Sequence, residues 1–175
     1  MNVVDNLYIG IDPGKNGGIV GICDMCDIDG RLKDEHRQKV QMYKCGTNVD
    51  KMYESMLDLL FLSQNSNMNI FVMIEHVHSF PGQGVVSTFS FGQNYGRWEG
   101  IIAAQELYND IVSPQKWMKY YETPKGLDKT TRKKFLKKKA QELFPGEKIT
   151  LNVSDALLIA NYCRNYHIQR RLNEL

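Results

Sequence analysis

Three acidic residues stand at the ends of otherwise apolar segments. Asp12 follows the run "YIGI" and opens a glycine-rich turn, Glu75 closes the run "IFVMIE", and Asp155 lies within "NVSDALLIANY". Taken singly, each has a plain structural account. An Asp before Pro-Gly makes a turn, and an acid in the first turn of a helix complements the macrodipole. Together they ask for more, because ionised carboxylates on apolar elements repel one another unless a cation neutralises them. Hard divalent ions want oxygen ligands, and Mg²⁺ takes a few carboxylates while keeping several waters.

The charge distribution says what such a site would act on. The formal net charge is only +2, yet ten of the 22 basic residues fall between Lys116 and Lys139, against two acids, Glu122 and Asp128. The rest of the chain is therefore acidic. A basic block of this kind either solvates one helix face or meets a polyanion. Beside an acidic metal site, it suggests a reaction on a phosphodiester, in which two ions ~4 Å apart could activate a water and stabilise the leaving 3′ oxygen. Other chemistries find less support. His76 and His78 flank the loop after Glu75 and could contact substrate, but neither has a metal-ligand partner in spacing. Cys23 and Cys26 spell C-x-x-C without the two further ligands a zinc site needs.

The elements that must carry these residues can be read from periodicity. Strands are expected at Tyr8 to Ile11, Gly18 to Asp24 and Val40 to Cys45, joined by glycine-marked turns as an antiparallel meander. A helix over Val49 to Ser63, capped by Asn48, precedes a buried strand from Ile70 to Glu75. From Ser87 to Leu107 a helix carries Gly92, Gly96, Gly100 and Ala104 at four-residue spacing. Glycines there cost a helix roughly 1 kcal/mol each relative to alanine, which implies close approach of another backbone, either the sheet beneath or a second copy of the chain. A strand at Asp110 to Pro114 follows, then a short helix at "PQKWMKYY", a helix from Asp128 to Phe144 and a final helix from about Asn152. The order implies one α/β domain over residues 1–175 with a mixed sheet. No apolar run approaches the ~20 residues of a membrane span, and the expectation is a soluble, intracellular protein with reduced thiols.

On the helix from Asp128, Leu136, Ala140 and Leu143 form the apolar stripe, and stepping back from Leu136 reaches Lys133 and Lys129 on the same face. Those two, with Arg132, are the candidates for contacts near a scissile phosphate. Lys137 joins them as a DNA-binding candidate, whereas Lys134 and Lys138 fall on the opposite, solvated face.

The segments "IGIDPGKNGGIVGI", "MIEHVHSFPGQG", "FSFGQNYGRWEGII", "VSPQKWMKYY" and "VSDALLIANYCRNY" resemble, in order and spacing, those of the RuvC-type Holliday junction resolvases, especially the phage and chloroplast branch. The resemblance implies a ribonuclease H-like fold with a five-stranded mixed sheet flanked by helices. It also implies a homodimer that nicks four-way DNA junctions and other branched DNA symmetrically, with Mg²⁺ (or Mn²⁺), two ions per site. A setting inside an infected host cell or viral factory would follow. The family's acids fall on Asp12, Glu75 and Asp155. Bacterial members carry a further aspartate three residues before the helical one, and here that position is Asn152. An asparagine still offers a carbonyl oxygen to a metal but brings no charge. Either three acids suffice in this branch, or the chain is a variant, natural or engineered, that binds junctions with its cleavage impaired. Lys129 matches a family lysine close to the active site, and Lys116 and Lys119 resemble a second basic patch along the DNA backbone. His78 stands where relatives place a base-stacking aromatic, with Phe80 two residues later. Gly92, Gly96 and Gly100 are the candidate dimer contact.

A competing class also begins with a strand, an acid and a glycine turn: the actin-like ATPases and sugar kinases. These need a second domain of similar size to close over the nucleotide, so no nucleotide cofactor is expected here.

Overall fold

In the computed structural model, which describes residues 5–24, 38–62, 68–76, 82 and 84–174, five strands form one mixed sheet in the order β3-β2-β1-β4-β5. The strands are β1 (Asp5–Ile11), β2 (Gly18–Asp24), β3 (Gln38–Lys44), β4 (Met68–Glu75) and β5 (Asn109–Val112). The first three make the expected antiparallel meander, and β4 and β5 add to it in parallel with β1. His78, Phe80 and Cys26 lie outside the described residues.

Strand alternation divides the core in two. Leu7, Ile9 and Ile11 of β1 and Val72 and Ile74 of β4 pack with Met52, Met56 and Leu59 of α1 (Val49–Leu60) and with Trp98, Ile101 and Ile102 of α2 (Val85–Ala104). Tyr8, Val20, Ile22 and Met73 face the other way. They meet α3 (Pro114–Tyr120) at Trp117, α4 (Lys129–Leu143) at Leu136 and Ala140, and α5 (Ser154–Glu174) along its buried first half. Side chains on a strand alternate faces, so Gly10 and Asp12 share the α5 face with Tyr8, and Glu75 shares it with Met73.

Helix starts follow local chemistry. Asn48 accepts from the Lys51 N–H, Ser113 from Lys116 N–H ahead of Pro114, and Asp128 from the Thr130 and Thr131 N–H groups. The last of these fixes where the basic helix begins, and so which way its lysines project.

One contact sets the spacing between α5 and the sheet. A Cβ on Gly10 would stand 2.2 Å from Ala160 N and 2.3 Å from Ala156 O, so the helix backbone lies directly on β1. Ala156 and Ala160 permit that approach, and Asp155 arrives over the end of β1 with them.

Two expectations need correction. The glycines of α2 do not mark packing of that helix on the sheet, since a Cβ on Gly92, Gly96 or Gly100 would meet nothing within 4 Å. The helix packs through Asn94, Trp98, Ile101 and Ile102 instead, leaving the glycine row open among the described residues. Leu143 is 45% exposed and is not in the apolar stripe of α4; the stripe ends in Phe144, whose ring takes the buried place one residue on. Among the described residues no helix is long and apolar enough to cross a membrane.

The two kinds of glycine should respond oppositely to alanine. Gly10→Ala is expected to cost about 1–3 kcal/mol or more through the forced separation of α5 from β1. Gly96→Ala is expected to add about 0.5–1 kcal/mol to the stability of the isolated chain. Urea unfolding of the two variants checks both.

Candidate active site

The parallel pairing of β1 with β4 runs from Asp5 opposite Met68 to Ile11 opposite Ile74. One step further brings Asp12 alongside Glu75, both on the α5 face. Asp12 is almost wholly buried, and Glu75 is partly buried.

The turn after β1 is shaped around the Asp12 carboxylate. The Asp12 N–H donates to Gly18 O, the Gly17 N–H donates to Gly14 O, and the Gly14 N–H donates to Asp12 Oδ1 at 2.9 Å. A Cβ on Gly17 would fall 2.7 Å from the Asp12 carboxyl carbon, so only glycine leaves the acid its place. Asn152 lies at the other end of this turn, where its amide Nδ2 donates to Asn16 O at 2.9 Å.

Each of the other acids also has a donor. The Trp117 indole N–H donates to Glu75 Oε1 at 2.9 Å. The Lys133 ammonium stands 3.4 Å from Asp155 Oδ2, and the Ser154 hydroxyl donates to Asp155 Oδ1 at 3.3 Å. Trp117 is not among the residues that the sequence singles out. Its signal was the indole itself, whose N–H needs a partner once buried.

The electrostatics follow from burial and crowding. Burial first, then the charge of Asp155, raises the Asp12 pKa to about 6, against the pull of the Gly14 N–H and of Lys133 and Lys129. Glu75 rises to about 8, again through burial first and then the charge of Asp12, with the Trp117 N–H and Lys133 opposing. Lys133 thus acts on all three carboxylates. It is the expected inward lysine of α4, whereas Lys129 is exposed at the helix start and reaches Asp12 only through its charge. Arg132 and Lys137 are half-buried, and Lys116 and Lys119 are exposed on α3. The Lys116 ammonium lies 5.6 Å from the centre of the Tyr166 ring.

Among the described residues, no three His, Cys, Asp or Glu side chains are gathered tightly enough to hold a metal ion as they stand, each acid being turned to its own donor. The chemistry of the donor set nonetheless suits a hard divalent cation. The ligands are all oxygen, and their mutual repulsion and burial are what such a charge would relieve.

With this geometry in hand, likeness to solved structures is informative. The chain superposes on Thermus thermophilus RuvC with a TM-score of 0.57 at 13% sequence identity, over 94% of this chain and 96% of that one. It has the RuvC fold. T. thermophilus RuvC in complex with Holliday junction substrate superposes with a TM-score of 0.55 at 12% identity, over 94% and 96% of the two chains. A fowlpox virus resolvase with its substrate Holliday junction DNA aligns at a TM-score of 0.44 and 10% identity, over 93% and 99%. No protein-family model matches the sequence, and no curated protein sequence aligns significantly with it. The RuvC fold is thus retained at an identity where sequence alone carries little signal.

Without a divalent cation, the folded protein holds protons on Asp12 and Glu75 that the unfolded chain releases near pH 4. Folded pKa values above the unfolded ones mean that stability is greatest at low pH and falls as pH rises through about 8. In chelator, the melting temperature is expected to drop between about pH 5 and pH 8. Asp12→Asn should flatten part of that drop, and Mn²⁺ should raise the melting temperature of the wild type at the upper pH more than that of the variant. Scanning calorimetry with and without Mn²⁺ checks this.

Proposed function

We propose that the chain is a Holliday junction resolvase, a Mg²⁺-dependent, structure-selective endonuclease that nicks four-way DNA junctions symmetrically as a homodimer, built as a single domain over residues 1–175. The observation that carries the reading is the pairing of Asp12 with Glu75 at the end of two parallel strands, faced by Asp155 and Lys133. The shared fold of a RuvC bound to Holliday junction substrate supports it.

Asp12, Glu75 and Asp155 would hold the cations, two per site, with Asn152 at the margin. Bound Mg²⁺, or Mn²⁺ in its place, supplies charge neutralisation and Lewis acidity at the scissile phosphate. In the hydrolysis a water adds to phosphorus, the P–O3′ bond breaks, and the 3′ oxygen leaves with a proton. Lys133 meets the scissile phosphate, being placed beside Asp155, and Lys129, Arg132 and Lys137 follow the strand along α4. Lys116 and Lys119 extend the basic path over α3. Either His78 or Phe80 serves as a stacking partner for unpaired bases at the crossover, a contact worth ~1–3 kcal/mol per base. The homodimer uses the face of α2 where Gly92, Gly96 and Gly100 meet nothing among the described residues and Val85, Val86 and Phe89 are exposed.

A second reading, a junction-binding protein with impaired cleavage, is favoured by one observation. Asn152 stands uncharged where bacterial relatives have an acid, and its amide is already committed to Asn16 O.

A nicking assay on a four-way junction in Mg²⁺, run beside a gel shift in Ca²⁺, separates the two readings. Asp12→Asn is expected to abolish nicking and leave junction affinity intact; retained nicking would sink the assignment. Lys133→Ala is expected to weaken binding and lower its log–log salt slope by roughly one. Binding without nicking by the wild type, with nicking gained on Asn152→Asp, would establish the second reading.

A further inference from the structure

Asn94 lies on α2, whose packed face belongs to the side of the sheet opposite α5. It is 1% exposed, and its amide nitrogen donates to Pro13 O at 2.7 Å and to Gly46 O at 3.3 Å. The first of these bonds holds one end of a peptide unit whose other end acts in the site. The Pro13 carbonyl and the Gly14 N–H belong to the same planar group and point in opposite directions across it. The carbonyl accepts from Asn94, and the N–H donates to Asp12 Oδ1 at 2.9 Å. Fixing the direction of the carbonyl therefore fixes the direction of the N–H. A peptide whose oxygen accepts a hydrogen bond is also polarised into a stronger donor.

The arrangement is kept at a cost. Asn94 Oδ1 is buried with no hydrogen-bond partner among the described residues, a penalty set against the two carbonyls that its nitrogen satisfies. The helix also supplies an asparagine whose amide joins the turn after β1 to the loop between β3 and α1, two segments that share no ladder here. We infer that Asn94 is a positioning residue, which directs the Asp12 carboxylate through the Pro13–Gly14 peptide. The inference rests on the reading of Asp12 as a ligand-bearing acid of a junction nuclease, and names a residue on which that acid depends.

Asn94→Leu keeps the branched outline of the side chain and removes both the donor and the orphan oxygen, but it leaves Pro13 O and Gly46 O without that donor, so a cooperative melt at a lowered temperature is expected. In the ¹H–¹⁵N spectrum of the cation-free variant, the Gly14 amide proton should move upfield and exchange faster. Nicking at saturating junction should fall roughly tenfold or more, with the junction Kd in Ca²⁺ unchanged within about twofold. An unmoved Gly14 resonance, or nicking reduced only in proportion to folded protein, would overturn the inference. If Asn94→Leu does not fold, Asn94→Ala, which removes the donor without adding bulk, gives the same readings. If the wild type does not nick at all, the reading as a nuclease fails, and the Gly14 resonance still decides the role of Asn94.

Discussion

Burying two carboxylates side by side, with a third on the helix above them, costs free energy that the surrounding fold has to offset. Asp12 and Glu75 are carried to the same edge of the sheet by the register of β1 with β4, and Asp155 is brought over them because α5 rests on the backbone of Gly10. No strand or helix in this arrangement can move away without opening the core. The repulsion is therefore met locally, by the Gly14 N–H at Asp12, the Trp117 indole at Glu75, and the Lys133 ammonium and Ser154 hydroxyl at Asp155. Of these only Lys133 carries a full charge, and it acts on all three acids. An ammonium on a flexible stem can be displaced by a divalent cation far more readily than a fixed peptide dipole can be turned.

Much of this was legible in the sequence, for a definite reason. An apolar run that ends in an acid reports a buried strand emerging at its end, and the alternation of side chains then decides which face the acid takes. This is why Asp12, Glu75 and Asp155 could be singled out before any contact was known. The facing of Lys133 was also readable, because its spacing from Leu136 and Ala140 is that of a single helical stripe. Leu143 shows where the same reasoning stops. At the end of a helix the chain leaves its axis, and Phe144, one residue later, fills the space that periodicity assigned to Leu143.

What sequence could not supply are contacts made between elements distant in the chain. The Trp117 bond to Glu75 spans 42 positions and that of Asn94 to Pro13 spans 81, so no local pattern encodes either. The α2 glycines illustrate the converse. Their spacing signals a helix face stripped of side chains, but spacing does not say what lies opposite, and among the described residues nothing does. Val85 and Phe89, on the same helix, are exposed.

The proposed nuclease requires the three acids to form one cation site beside a DNA-binding surface. The most direct test is an anomalous difference map from a crystal soaked in Mn²⁺. Two neighbouring peaks among Asp12, Glu75 and Asp155, with the Lys133 ammonium moved off Asp155, are what the account predicts. Mn²⁺ bound elsewhere, or absent from the site with Lys133 still paired to Asp155, would contradict it.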